Sequence, residues 1–256
     1  MVNVPDLKPD TYTIVTSINT RTELGVLWSK RSVRIGSGPW DVYDRLSERY
    51  TEALKSEDQR RIIAAHNALL LACFKPTIRI DKPYKLDQES QANDTFFAGA
   101  DKVSAVIKWH PENEGLRVIA DVTDVYLSTH APSDLPWNSS CLEIFVCASG
   151  LAKDICQFFI VPEGPEDSPR LRAVRLITNP IDTSGIQARW KRTATGYNVN
   201  ALIPWEKISG YREGSRFIAV DAAIDSSTPG GRVQLVMNGR GQPWQDPQAF
   251  ALLRIR

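Results

Sequence analysis

Leu135-Pro136-Trp137-Asn138-Ser139-Ser140-Cys141-Leu142-Glu143-Ile144-Phe145-Val146 decides how the rest of the chain is read. Side chains of an extended strand alternate between its two faces, so 142, 144 and 146 share one face and 141, 143, 145 and 147 share the other. Leu142, Ile144 and Val146 make a purely apolar core face, which sends Glu143 out from the opposite one. Trp137 stands at the mouth of the same strand. An exposed indole beside a strand-borne carboxylate suits a sugar, whose C–H face stacks on an aromatic ring while its hydroxyls need charged acceptors. The same residues allow a structural alternative, with Trp137 packed on its own turn and Glu143 paired with a surface Arg.

Downstream of Pro76 the texture is β-type throughout. Thr77–Ile80, Val103–Trp109, Leu116–Val122, Cys141–Cys147, Gln157–Val161, Arg172–Ile177, Ile186–Lys191, Tyr197–Ile203, Phe217–Ile224, Val233–Met237 and Phe250–Ile255 all read as strands. Turn chemistry separates them: Asn113-Glu114-Gly115, Pro162-Glu163-Gly164-Pro165, Thr195-Gly196 and Thr228-Pro229-Gly230-Gly231. Many short strands with almost no helix predict a β-sandwich. Upstream, Thr11–Val15 and Ser32–Ile35 are strand-like, and Pro39 is placed to open a helix. Val42, Leu46, Tyr50 and Ala53 recur at helical spacing, Ser56-Glu57-Asp58-Gln59 reads as a capping box, and Ile62, His66, Leu69 and Cys73 line one face of a second helix. The expected organisation is an N-terminal extension, residues 1–75, carrying a helical hairpin at about 41–74, then a sandwich over 77–256.

Composition narrows the function. With 31 basic and 30 acidic residues in 256 there is no global field to recruit nucleic acid or an anionic membrane. The longest apolar run, Ala68–Phe74, is too short to span a bilayer. Met1–Asp6 lacks the basic and apolar segments of a secretory signal, so the expectation is a protein kept inside the cell, or a mature form or excised piece of something larger, extracellular or periplasmic if that larger protein is secreted. Cys73, Cys141, Cys147 and Cys156 form no C-x-x-C pair; buried free thiols are expected, with a Cys147–Cys156 bridge conceivable.

Taken in order, six segments resemble family 9 carbohydrate-binding modules and their wider sandwich relatives: LRVIADVTD (116–124), PWNSSCLEIFV (136–146), QFFIVP (157–162), GYNVNALIPW (196–205), FIAVDAAID (217–225) and WQDPQAFALL (244–253). The resemblance covers roughly residues 77–256. It implies a mainly β, jelly-roll-like antiparallel sandwich that binds a glycan or oligosaccharide without chemistry, accessory to the catalytic domain of a polysaccharide-degrading enzyme. Trp137 and Trp244 would be the two stacking rings, and Glu143, Arg172 and Asn238 would hold hydroxyls, with Gln242, Arg170 and Arg175 as alternatives. The departures are Ser140 in place of an Asp, Asn200 in place of a Glu, and Ala251 in place of a Gly. Losing two carboxylates puts calcium in doubt, because that ion wants six to eight oxygen ligands; Asp121, Asp124, Asp221 and Asp225 remain as candidates.

Other chemistry is weakly signalled. There is no Gly-x-Ser-x-Gly elbow, and His66, His110 and His130 have no ligand partners at metal spacing. His66, on an apolar helix face, reads as a packing residue, and Trp205 as a core plug. Two further readings stay open. A non-binding module would hold a catalytic partner in place, and a glycan hydrolase or lyase would need Glu143, Asp221 and Asp225 to converge.

Overall fold

The computed structural model describes residues 10–19, 26–35, 39–73, 75–78, 84–86, 102–129, 135–175, 178–229, 231–238, 247 and 250–255. A hairpin of β1 (Asp10–Asn19) and β2 (Val26–Ile35) comes first, followed by α1 (Pro39–Leu54) and α2 (Gln59–Cys73). Pro39 opens α1, where its missing N–H costs nothing. The cap of α2 differs from the expected capping box. Asp58 Oδ1 accepts from the Arg60 and Arg61 N–H groups (2.9 and 3.2 Å), while Ser56 Oγ turns back to the Ala53 carbonyl (2.7 Å) at the end of α1. Two competent caps compete here, and the end of the first helix claims the serine.

The strands are β3 (Lys75–Ile78), β4 (Tyr84–Leu86), β5 (Val103–Pro111), β6 (Gly115–Asp124), β7 (Cys141–Cys147), β8 (Cys156–Val161), β9 (Arg170–Arg175), β10 (Asn179–Pro180), β11 (Gln187–Arg192), β12 (Gly196–Pro204), β13 (Phe217–Thr228), β14 (Gly231–Val236) and β15 (Ala251–Arg254). One sheet runs β10-β9-β8-β7-β13-β15-β3, with β14 also beside β13; the other runs β11-β12-β6-β5-β4. Among the described residues the one parallel pairing is β15 with β3; the rest are antiparallel. The fold is therefore the expected mainly β, antiparallel sandwich with an N-terminal helical hairpin.

Alternation builds the core. Leu142, Ile144, Val146, Phe158, Ile160, Val220 and Ile224 from the first sheet meet Ile107, Trp109, Val118, Tyr197 and Val199 from the second in one buried cluster. Trp205 packs at its margin, stacked on Tyr211 with ring centroids 4.5 Å apart. β7 departs from alternation, since all seven of its residues are buried. Its outer face is covered at two places. Leu70 of α2 packs with Phe145, Cys147, Ala219 and Leu252, and the turn before β7 brings Trp137 onto Cys141, Phe159, Val161 and Val174.

The helical hairpin is thus seated on the sandwich. Gly150 lies so close to α2 that a Cβ there would sit 2.9 Å from Leu70 and 3.1 Å from Leu69, and its φ of +78° is itself one that side chains disfavour. Tyr43 Oη donates to the Gly150 carbonyl (2.9 Å), and Leu151 joins Tyr50, Ala53, Ile62 and Leu69. The change of texture at residues 75–77 marks where helix gives way to strand; side-chain packing crosses it.

His66, 1% exposed, is the polar pin of this contact. Its Nε2 donates to the Ala148 carbonyl (2.5 Å), and Nδ1 accepts from Ser215 Oγ (3.4 Å). Burial holds the imidazole below its usual 6.5; the carbonyl contact opposes this, and the Arg212 charge adds to it. Unfolding releases a histidine that takes up a proton more readily, so its contribution is present above pH 6.5 and lost as pH falls below it. We expect urea midpoints to drop between about pH 7.5 and about pH 5, and His66→Leu to flatten that acid limb. An unchanged slope in the variant would show that another group sets it.

Cys141, Cys147 and Cys156 are free and buried. Val146, not Cys147, stands opposite Cys156, so the conceivable bridge fails because Cys147 points to the other face of the sheet. Burial pushes all three thiols up, Cys156 to about 11.

Candidate functional site

Register places Ala223 of β13, Glu143 of β7, Phe159 of β8 and Arg172 of β9 in one row across the outer face of the first sheet. Trp137 sits over that row. It comes from the single 3-10 turn Pro136–Asn138, which Pro136 opens and whose next residues run straight into β7. The half-buried indole lies 5.7 Å from the Phe159 ring at 45°, and the Arg172 guanidinium carbon is 5.7 Å from its centroid. That geometry is an aromatic pair with a cation over the indole. Three residues predicted from sequence, Trp137, Glu143 and Arg172, therefore share one patch.

Glu143 corrects one expectation. It occupies the face opposite Leu142, but that face is covered, and the side chain is 1% exposed. Gln157 Nε2 donates to Oε2 (2.7 Å), Gln234 Nε2 donates to Oε1 (3.3 Å), and an Arg232 nitrogen lies 3.8 Å from Oε1. Arg232 also donates from Nε (3.0 Å) and from Nη2 to Oδ1 of fully buried Asp225. Burial, the Glu143 charge and a hydrogen bond to Glu143 push the Asp225 carboxyl well up, and Arg232 offsets this in part. Asp225 Oδ2 receives no hydrogen bond from the described residues.

Asn238 follows β14, and its backbone N–H donates to Asp221 Oδ1 (3.2 Å). Asp221 is opposite Phe145, which puts Asn238 beside the next register position of the same face. Trp244 and Gln242 lie outside the described residues. Of the alternative arginines, Arg170 shares the face but pairs with Glu163 (2.7 Å), and Arg175, opposite Cys156, belongs to the other face. Sequence reasoning missed Gln157, Gln234 and Arg232. Their signal was register: Gln157 interrupts an apolar strand on the Glu143 side, and Gln234 pairs with Asp225.

Among the described residues, Asp124 does not fit calcium. Asp124 accepts from the Tyr126 and Leu127 N–H groups, from Ser226 Oγ (2.8 Å) and from Ser140 Oγ (2.5 Å), so hydrogens fill the lone pairs a cation would use. Ser140, standing where the resemblance would put an Asp, closes this knot. Asp121 lies at the surface and accepts from Asn198, and among the described residues no group of three or more His, Cys, Asp or Glu stands ready to hold an ion. Glu143 and Asp225 are 1% and 0% exposed, so neither carboxyl is presented to a glycosidic bond. A cleft of about 510 Å³ lies on the helical hairpin, between Arg45, Arg49, Arg61 and Ala64, with Trp137 not among its lining. No described helix is long and apolar enough to cross a membrane.

Neither protein-family models nor curated proteins gave a match to the sequence. Among solved structures the chain is similar to a family 9 carbohydrate-binding module from Caldicellulosiruptor kristjanssonii in complex with glucose (TM-score 0.46, 18% identity, 60% of this chain and 78% of that one). It is also similar to a putative carbohydrate-binding protein from Bacteroides uniformis (TM-score 0.43, 13% identity, 68% of this chain and 84% of that one).

Proposed function

We propose that the chain binds carbohydrate without catalysis, stacking a sugar on Trp137 and meeting its hydroxyls with polar groups of the same sheet face, as an accessory to a polysaccharide-active enzyme. The observation that carries this reading is the half-buried indole set over the row of Glu143, Phe159 and Arg172. Arg172 supplies a planar donor fork beside the ring, Asn238 lies at the next position of the face, and Trp244 is the second ring implied by the resemblance. The buried carboxylate of Glu143 acts here through the amides and guanidinium that it orients.

A ring that covers about 100 Å² of sugar contributes roughly 2 kcal/mol. Trp137→Ala is therefore expected to weaken retention in affinity gels containing soluble glucan, xylan or mannan by about thirty-fold. Measured alongside thermal unfolding, an unchanged affinity in a destabilised Trp137→Ala protein would reject the site. One observation favours a second reading, a non-binding module that supports a catalytic partner: both oxygens of Glu143 are already held by internal amides. On that reading no variant and no wild-type protein is retained by any gel.

A further inference from the structure

Glu143 and Asp225 are diagonal neighbours on adjacent strands, since Asp225 stands opposite Cys141 and Glu143 opposite Ala223. They are 1% and 0% exposed, and one guanidinium, Arg232, reaches both. Two carboxyls sharing a dry site cannot both ionise. The hydrogen-bond pattern says which one keeps the proton. Glu143 accepts from an amide at each oxygen, and Asp225 Oδ1 accepts from Arg232. Of these four oxygens, only Asp225 Oδ2 lacks a donor among the described residues, and a bare carboxylate oxygen buried there is unfavourable. A proton on Oδ2 turns it into a donor, with Glu143 as its acceptor.

We propose that Asp225 is a positioning residue that stays protonated, hydrogen-bonds Glu143 and so fixes the carboxylate against Gln157 and Gln234 on the sugar-binding face. Its consequence for binding rests on the carbohydrate reading above; its chemistry does not. Among the described residues, the groups around the pair add no further positive charge beside it. On β7 the Cys141 thiol is neutral, on β12 the buried Tyr197 phenol is pushed up, and on β6 Asp124 is closed by its own donors. On β9 Arg170 is committed to Glu163, Arg172 stands at Trp137, and on β13 Asp221 accepts from Asn238. Losing the proton would place a second buried charge beside Glu143, force the two carboxyls apart and release the amides.

The test uses the full chain, Asp225→Asn and Asp225→Ala. Infrared difference spectra should show a protonated-carboxyl C=O band in the wild type that both variants lack. Because the folded carboxyl sits above its unfolded value of 3.8, the folded state binds the extra proton and stability falls as pH rises above 3.8. Urea midpoints of the wild type should fall between about pH 5 and about pH 9 once the His66 limb is allowed for, and those of Asp225→Asn should stay flat over the alkaline half. While that slope persists the folded wild type keeps its proton, so its affinity for soluble glucan, xylan or mannan gels should hold constant with pH, as should that of Asp225→Asn, and be lost in Asp225→Ala. Absence of the infrared band, or equal alkaline slopes in wild type and Asp225→Asn, overturns the proposal. If band and slope are present but no gel retains the wild type, the carbohydrate reading and the positioning role fall together, and the protonated pair alone is upheld.

Discussion

Removing residues 1–75 is expected to abolish cooperative unfolding of the remaining chain. The deletion strips α2 from the outer face of β7 and uncovers Phe145, Cys147, Ala219 and Leu252, all of them 2% exposed or less in the intact protein. Each large apolar side chain returned to water forfeits about 1.5–3 kcal/mol, against a total stability of roughly 5–15 kcal/mol for a typical domain. It also orphans the Ala148 and Gly150 carbonyls, which His66 and Tyr43 satisfy, and removes Lys75 from the strand that pairs with β15. A milder probe of the same contact is Leu70→Ala, expected to cost about 2–5 kcal/mol. Both are read by circular dichroism and urea titration. A truncated chain that melts cooperatively near the intact midpoint would show that the sandwich stands alone.

That result bears on what the sequence made legible. Strand faces could be read because alternation has a period of two: Leu142, Ile144 and Val146 point to the core as expected, and the order of segments was enough for the sandwich. What alternation cannot say is whether the other face meets water or protein. Glu143 looked exposed because a charge on a strand usually is, yet α2 and the Trp137 turn close over its face from both ends. Leu70 carried half of that information, as an apolar side chain on a helix face that needed a partner, but the identity of the partner is a tertiary fact. Gln157 and Gln234 were invisible for a related reason. An amide on a strand looks like ordinary surface until pairing with β7 and β13 brings both onto one carboxylate. The cap of α2 shows the same limit on a local scale, where the capping-box pattern pointed to Ser56, yet the end of α1 took the serine and left the cap to Asp58.

Arg232→Ala is the second large effect, and its pH dependence distinguishes a buried network from a surface ion pair. Exposed pairs contribute at most about 1 kcal/mol, and losing one is weakly felt. Arg232 is only partly exposed and donates twice to a fully buried carboxyl while approaching a second. Deleting it leaves Asp225 Oδ1 without a donor and the Glu143 charge without its nearby cation, a loss of roughly 2–4 kcal/mol at neutral pH. The sign of the pH dependence follows from Asp225. Arg232 lowers the folded value of that carboxyl, so its removal raises the value further, and the fall of stability with pH then continues to higher pH than in the wild type. The difference between the two proteins should be smallest near the unfolded value of 3.8 and widen toward alkaline pH. Urea titrations at about pH 5, 7 and 9 measure it directly. A loss under about 0.5 kcal/mol that does not change with pH would place Arg232 among the ordinary surface arginines and remove the guanidinium from the network beneath Trp137.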